Sequence, residues 1–156
     1  MRLFRKSGCG SITAIVSKKF KKNKVSQANP SGIQPKKLIP QPQGISFSFK
    51  YYQDDNSKFS CQDKPPAYWV TLMARLKNLS GISKQELLKN RSSSLRFHPI
   101  DWKDTSESGF GLPNEDQLVD TPYQFSVSAN KYGRVHGFFI NEVFYIVWLD
   151  PNHLLY

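Results

Sequence analysis

The chain has 156 residues, with 22 Lys or Arg against 12 Asp or Glu and a formal net charge of +10. The whole excess lies in residues 1–43, which carry ten basic and no acidic residues, whereas residues 44–156 carry twelve of each. No run approaches the roughly 20 apolar residues of a membrane span, and no N-terminal run is long enough for a secretory signal. We therefore expect a cytoplasmic protein with no membrane partner.

Residues 1–43 are predicted to be a disordered basic tail that ends in a proline-rich linker. A dense block of like charge repels itself and has little apolar surface to bury, so it stays extended and attracts polyanions such as RNA or the ribosome. A Lys-rich, acid-free segment is also typical of organelle transit peptides, and this alternative stays open. The residues predicted to bind nucleic acid are Lys18, Lys19, Lys21, Lys22, Lys24, Lys36 and Lys37.

Residues 44–156 are predicted to form a single domain. This length supports one hydrophobic core, and the segment holds every Trp and Tyr and all the Phe except Phe4 and Phe20. Cys9 and Cys61 form no disulfide framework, which indicates a reducing compartment.

The domain begins with a strand and two helices. Ile45 to Tyr51 alternates apolar and polar residues as a half-buried strand does. Residues 65–81 repeat apolar side chains every three to four positions, which predicts a helix that ends at Gly81. Ser83 and Glu86 then form a capping box, which predicts the start of a second helix.

The remainder is predicted to be a meander of strands. Residues 95–97 read as a short strand stopped by Pro99, residues 101–122 as a long polar loop, and residues 124–128 as another strand. With the final hairpin, the pattern predicts an α+β fold. Its two helices pack on one face of a mainly antiparallel sheet of four or five strands.

The final hairpin joins residues 134–140 to residues 143–150 through a two-residue loop, which fixes the facing pairs. With Ile140 opposite Val143, an apolar face is expected against the helices, with Trp148 and Phe144 packed on Leu72 and Leu76. That face carries Val135, Gly137, Phe139, Phe144, Ile146 and Trp148. The opposite face is expected to be open to solvent and suited to a flat or anionic ligand. It carries Arg134, His136, Phe138, Tyr145, Val147 and Leu149.

Three histidines are the candidate catalytic groups. An imidazole titrates near neutral pH, so two of them can act as base and acid when a 2′-hydroxyl attacks a phosphodiester, while an arginine neutralises the charge on the phosphorus oxygens. No pair of histidines has the spacing of a zinc motif, and neither a metal nor another cofactor is predicted. The alternative is that each is a hydrogen-bonded structural residue. The predicted catalytic residues are His136, His153 and Arg134, with His98 or Tyr145 as helpers.

A strand, two helices and a meander whose last hairpin is basic and ends in a histidine resembles the RelE/YoeB type of bacterial toxin. The residues that carry the resemblance are Arg134, Val135, His136, Phe144 to Leu149, His153 and Tyr156. Members of that family are endoribonucleases with a microbial RNase-like fold that cut messenger RNA, on the ribosome or free. The resemblance implies a small endoribonuclease, as the toxin of a toxin–antitoxin pair with an antitoxin partner, or as an anti-phage factor. The alternative is a non-catalytic nucleic-acid- or ribosome-binding module anchored by its basic tail.

Overall fold

The computed structural model describes residues 44–129 and 131–156, which form an α+β domain around a five-stranded sheet. The predicted tail, with the lysines expected to bind nucleic acid, lies outside the described residues. The strands are β1 (Ser46–Ser48), β2 (His98–Pro99), β3 (Pro122–Ser126), β4 (Arg134–Ile140) and β5 (Val143–Asp150). The helices are α1 (Pro66–Leu79), α2 (Lys84–Lys89) and α3 (Glu115–Leu118).

The sheet is mixed, with the strand order β1-β5-β4-β3-β2. Strand β1 runs parallel to β5, and the other three neighbouring pairs are antiparallel. The sequence pattern does not predict the parallel pair. It joins the first and last strands of the domain, so local patterns carry no sign of it.

The two longer helices follow from their sequences. Helix α1 begins with Pro66, where the missing N–H of proline costs nothing, and its buried residues recur at helical spacing. In α2 the predicted capping box is confirmed: the Glu86 N–H donates to the Ser83 hydroxyl at 3.2 Å, and the Ser83 N–H donates to the Glu86 carboxylate at 3.0 Å.

One core, here called the helix-side core, combines buried side chains of both helices with one face of the sheet. Its members include Tyr68, Leu72, Leu76, Leu79 and Leu87 from the helices and Phe125, Val135, Phe139, Phe144, Ile146 and Leu149 from the strands. A second core, here called the loop-side core, lies on the other face. It consists of Phe59, Ile100, Phe110, Phe138, Val147, Trp148 and Leu155.

The predicted strand at residues 95–97 is shifted along the chain. Strand β2 is His98–Pro99, which pairs with Gln124 and Tyr123 of β3. Proline is tolerated here because β2 is the edge strand, where its missing N–H does not cost a hydrogen bond to a neighbouring strand. As a consequence His98 lies within the sheet, directly beside Gln124.

The β4–β5 hairpin has the predicted bounds, and Ile140 opposes Val143 as expected. The register then shifts: Gly137 opposes Ile146, but His136 opposes Trp148. Val147 is therefore one extra residue in β5, which is a β-bulge. Its carbonyl accepts a hydrogen bond from the Gln53 N–H at 3.1 Å.

The predicted assignment of faces is wrong for the part of β5 beyond this bulge, whereas the predicted faces of β4 agree with the register. Leu149 belongs to the helix-side core with Phe144, whereas Trp148 belongs to the loop-side core. The Trp148 indole stacks on Phe59 with ring centroids 4.4 Å apart, so it does not pack against α1 as expected.

The face expected to be open is covered. Residues of the 101–122 loop, among them Phe110, pack over it in the loop-side core together with Leu155 near the C-terminus. His136 is 0% exposed, so its predicted place on the solvent side is also wrong.

The close approach of β5 to Gly137 generates a prediction about the bulge. A Cβ atom added at Gly137 would lie 2.0 Å from the Tyr145 carbonyl oxygen and 2.7 Å from the Phe144 ring. Because the backbone would have to move, Gly137→Ala should lower the free energy of unfolding by about 2 kcal/mol, measured in urea.

The matched control is the same substitution at Gly81. There an added Cβ would meet only the Asn78 carbonyl oxygen at 3.7 Å, so Gly81→Ala should change stability by less than about 1 kcal/mol. Equal effects at the two glycines would show that the hairpin tolerates a side chain beside the bulge.

Candidate functional site

Polar side chains form two neighbouring rows on the sheet face that points away from the helices. Facing residues of adjacent strands point to the same side, so the register defines each row. The first row, from β2 to β5, consists of His98, Gln124, His136 and Trp148. The second row consists of Ser126, Arg134 and Asp150. The bulge at Val147 brings Trp148 and Asp150 into these rows.

The rows border a pocket of about 310 Å³, here called the cationic pocket. It brings together three of the predicted site residues, His98, Arg134 and His153, although they are far apart in the chain. The full lining is Arg96, His98, Gln124, Arg134, His153 and Tyr156.

Two arginines give the pocket its charge. Neither Arg96 nor Arg134 forms an ion pair within the part of the chain that the structure describes. Burial, followed by the positive charge of Arg96, lowers the pKa of the Arg134 guanidinium, while Asp150 acts in the opposite direction. Arginine stays protonated at neutral pH, so the pocket holds two like charges and favours an anion.

Gln124 organises one wall of the pocket. Its amide nitrogen donates to His98 Nε2 at 2.9 Å and to the Tyr156 hydroxyl oxygen at 2.9 Å. His98 Nδ1 lies 2.8 Å from the Pro99 carbonyl oxygen and donates to it. In this arrangement Nδ1 carries a ring proton and Nε2 accepts the hydrogen bond from Gln124. The Tyr156 hydroxyl accepts from Gln124 and keeps its own proton for another partner. Burial, followed by the charge of Asp104, raises the pKa of this phenol, which therefore stays protonated at neutral pH.

His153 enters the pocket from the turn after β5. It is exposed, its φ is +58°, and its ring forms no hydrogen bond to any residue that the structure describes. An imidazole in this state can exchange protons with a bound molecule.

His136 lies beneath the pocket rather than in it. Its Nε2 is 3.6 Å from Asp150 Oδ2, beyond hydrogen-bond distance, and neither ring nitrogen has a partner among the described residues. Burial lowers the pKa of His136, and the neighbouring Asp150 only partly opposes this effect, so the ring is neutral at neutral pH. A side chain with no exposed surface cannot contact a substrate, so the expected direct role of His136 does not fit this geometry.

Asp150 is the other buried member of the second row. Burial by itself would raise the pKa of this carboxyl, but the nearby His136 and the N–H groups of Leu154 and Leu155 outweigh it, and the pKa is lowered. Asp150 is therefore a carboxylate at neutral pH, between the sheet and the C-terminal turn.

Tyr145, the other predicted helper, is not part of the pocket. Its ring stacks on Phe138, with centroids 5.6 Å apart, and lies beside Tyr51. It belongs to the apolar end of the same sheet face.

Arg96 and Gln124 were not predicted as site residues, and Tyr156 was named only for the resemblance. Arg96 precedes His98 by two residues, and the period of a strand would have placed both on one side. Gln124 carried no local signal, because its importance comes from its pairing with His98 and His136.

A larger cavity of about 620 Å³ lies where the predicted polar loop, residues 101–122, covers the sheet. Its carboxylates are Glu107, Glu115, Asp116 and Asp120. The Glu115 carboxylate accepts from the N–H groups of Phe110 and Leu112 at 2.8 and 3.1 Å, so it fastens the loop.

The chain matches no protein-family model, no curated protein and no solved structure. The resemblance to the RelE/YoeB toxins therefore stays a prediction.

Among the described residues, no group of three His, Cys, Asp or Glu could hold a metal ion. No helix in that part of the chain is long and apolar enough to cross a membrane.

The burial of His136 predicts a loss of stability in mild acid. Because its pKa is lowered only in the folded protein, the unfolded chain takes up a proton more readily as the pH falls. The contribution of His136 to the free energy of unfolding is complete above the ordinary histidine pKa of about 6.5. Below that pH it decreases by up to about 1.4 kcal/mol per pH unit. Asp150 adds nothing in this window, since its pKa lies below the ordinary aspartate value.

The free energy of unfolding, measured between about pH 7.5 and pH 5.5, checks this expectation. His136→Asn should lower stability overall but flatten its pH dependence. If the wild-type protein and His136→Asn lose stability with the same slope, His136 is not the buried neutral group.

Proposed function

We propose that this protein is a small, metal-independent endoribonuclease whose reaction takes place in the cationic pocket. The observation that supports the proposal is the convergence of two imidazoles and two guanidiniums on one pocket of about 310 Å³. Such a set contains what RNA cleavage by the 2′-hydroxyl needs, namely proton exchange at two oxygens and charge stabilisation at phosphorus.

In the proposed reaction one histidine acts as the general base and the other as the general acid. One neutral imidazole takes the proton of the 2′-hydroxyl while the 2′-oxygen forms a bond to phosphorus. The bond from phosphorus to the 5′-oxygen breaks, and the other imidazole, protonated, gives its proton to that oxygen. We assign these two roles to His153 and His98. In the reaction His98 Nε2 exchanges its hydrogen bond with the Gln124 amide for one with the reacting oxygen, while the Nδ1 bond to the Pro99 carbonyl holds the ring.

The arginines act on the phosphate. Arg134 and Arg96 face the pocket without carboxylate partners, so their N–H groups can hold the phosphorus oxygens as charge grows on them. The Tyr156 hydroxyl, which keeps its own proton, is a further donor to the same oxygens.

The first test is RNA cleavage as a function of pH. The rate should follow a bell-shaped profile, because one imidazole must be neutral while the other is charged. His153→Gln and His98→Gln should each lower the rate by about 100-fold or more and each remove one limb of the profile. Arg134→Lys should also impair cleavage, because an ammonium cannot present two parallel donors to a phosphate.

Arg75→Lys is the control for Arg134→Lys. Arg75 lies on α1 and donates to the Val127 carbonyl oxygen at 3.0 Å, outside the cationic pocket, so cleavage should be unchanged. RNA binding without cleavage by the wild-type protein would contradict the enzyme and favour the non-catalytic binding module.

The basic segment at residues 1–43 is proposed to supply most of the affinity for RNA. Each phosphate neutralised by Lys or Arg releases counterions, so binding weakens as salt rises. The logarithm of the binding constant falls linearly with the logarithm of the salt concentration, and each contact with single-stranded RNA adds roughly 0.7 to the steepness of that line. Deleting residues 1–38 removes all ten basic residues of the segment and should remove most of that slope. A truncated protein with unchanged affinity and salt dependence would contradict this role. An antitoxin partner, a ribosomal target and a cytoplasmic location stay predictions from the sequence.

A further inference from the structure

The segment after β5 is fastened to the domain on both sides of His153. Asp150, at the end of β5, is 1% exposed and precedes the turn that carries His153. Its Oδ1 accepts from the Leu154 N–H at 2.9 Å and its Oδ2 from the Leu155 N–H at 3.0 Å. One carboxylate thus closes the loop that includes His153.

The 101–122 loop fastens the same segment from the other side. The Ser106 N–H donates to the Leu155 carbonyl oxygen at 2.8 Å, and the Ser106 hydroxyl lies 2.9 Å from the carbonyl oxygens of both Leu154 and Leu155. The Leu155 side chain is fully buried in the loop-side core. His153 and Tyr156, on either side of this anchor, both line the cationic pocket.

The turn holds His153 in the left-handed region of backbone conformation, which few non-glycine residues occupy, although histidine enters it more readily than most. A non-glycine residue with positive φ is uncommon, and it persists only where surrounding contacts hold it. A buried carboxylate is likewise costly unless it is hydrogen-bonded. The hydrogen bonds from the Leu154 and Leu155 amides therefore satisfy the buried Asp150 carboxylate and at the same time help to hold the turn at His153.

We infer that Asp150 is a positioning residue, which sets the place of His153 in the cationic pocket by clamping the Leu154 and Leu155 amides. Asp150 itself lies under the pocket and does not contact the substrate. The consequence for cleavage rests on the proposed function, whereas the consequence for the His153 ring does not. A displacement of about 1 Å at a reacting group can lower a rate by 100-fold, so the clamp matters for turnover.

The test uses the full chain with Asp150→Asn. An amide side chain keeps one acceptor oxygen where the carboxylate has two, so hydrogen exchange at the Leu154 and Leu155 amides should become at least about tenfold faster. The ring proton signals of His153, assigned by their loss in His153→Gln, should shift in the NMR spectrum. The kcat for RNA cleavage should fall by about 10- to 100-fold. Binding of a non-cleavable 2′-deoxy oligonucleotide should stay within about threefold, because both arginines remain.

Asp55→Asn is the matched control, since Asp55 is exposed and does not line the cationic pocket, and it should leave all four measurements unchanged. If Asp150→Asn fails to fold, Ser106→Ala tests the clamp from the other side. It removes the hydroxyl bonds while the Ser106 N–H bond remains, and it should shift the His153 signals away from their wild-type positions, whereas unchanged signals would overturn the clamp.

Three outcomes separate the inference from the proposed function. Unchanged exchange and unchanged His153 signals in a folded Asp150→Asn protein would overturn the clamp. A displaced ring with full kcat would overturn its role in catalysis. If the wild-type protein cleaves no RNA, the proposed function fails, while amide exchange and the His153 signals still decide whether Asp150 positions the ring.

Discussion

The register between β4 and β5 is the constraint on which the site depends. In a regular hairpin Arg134 would oppose Leu149, and the row beside Ser126 would end in an apolar side chain. The extra residue, Val147, instead places Asp150 opposite Arg134 and leaves Leu149 in the helix-side core. Gln53 supports this arrangement, because its N–H donates to the Val147 carbonyl and its side-chain oxygen accepts from the Trp148 indole at 2.8 Å. The bulge thus divides one hairpin into an apolar end and a polar end.

The polar end carries an energetic cost that is concentrated under the cationic pocket. Four buried side-chain atoms have no hydrogen-bond partner among the described residues: Gln124 Oε1, Ser126 Oγ and both ring nitrogens of His136. Each unsatisfied buried group costs about 1–3 kcal/mol, so folds rarely keep several of them together without a reason. All four belong to the two rows that carry His98 and Arg134. The polar groups that lack a partner in the described part of the chain therefore cluster in the two rows that border the cationic pocket.

Local patterns predicted the parts of the fold that local physics determines. The capping box of α2, the bounds of the last hairpin and the pairing of Ile140 with Val143 depend on residues close in the chain. The parallel β1–β5 pair, the strand at Pro99 and the bulge depend on contacts between distant segments, and none was predicted. His98, His153 and Arg134 do share one pocket, but His136, although it lies on the predicted face of β4, is buried. The burial of His136 therefore comes from the 101–122 loop and the C-terminal segment that cover its face, contacts that no local pattern encodes, and His98 is the second accessible imidazole.

Charge is divided across the sheet face in a way that limits how a polyanion can bind. The cationic pocket holds Arg96 and Arg134, whereas the larger cavity beneath the 101–122 loop is lined by four carboxylates, of which Glu107 pairs with Lys58. Fields from exposed charges extend about 8–10 Å at physiological salt, so phosphates are attracted at one cavity and repelled at the other. Two guanidiniums can neutralise only a few phosphates. On the proposed function, then, the pocket selects and cleaves a short stretch of RNA, and the ten basic residues of segment 1–43 supply the affinity that the folded domain, with equal numbers of basic and acidic residues, lacks.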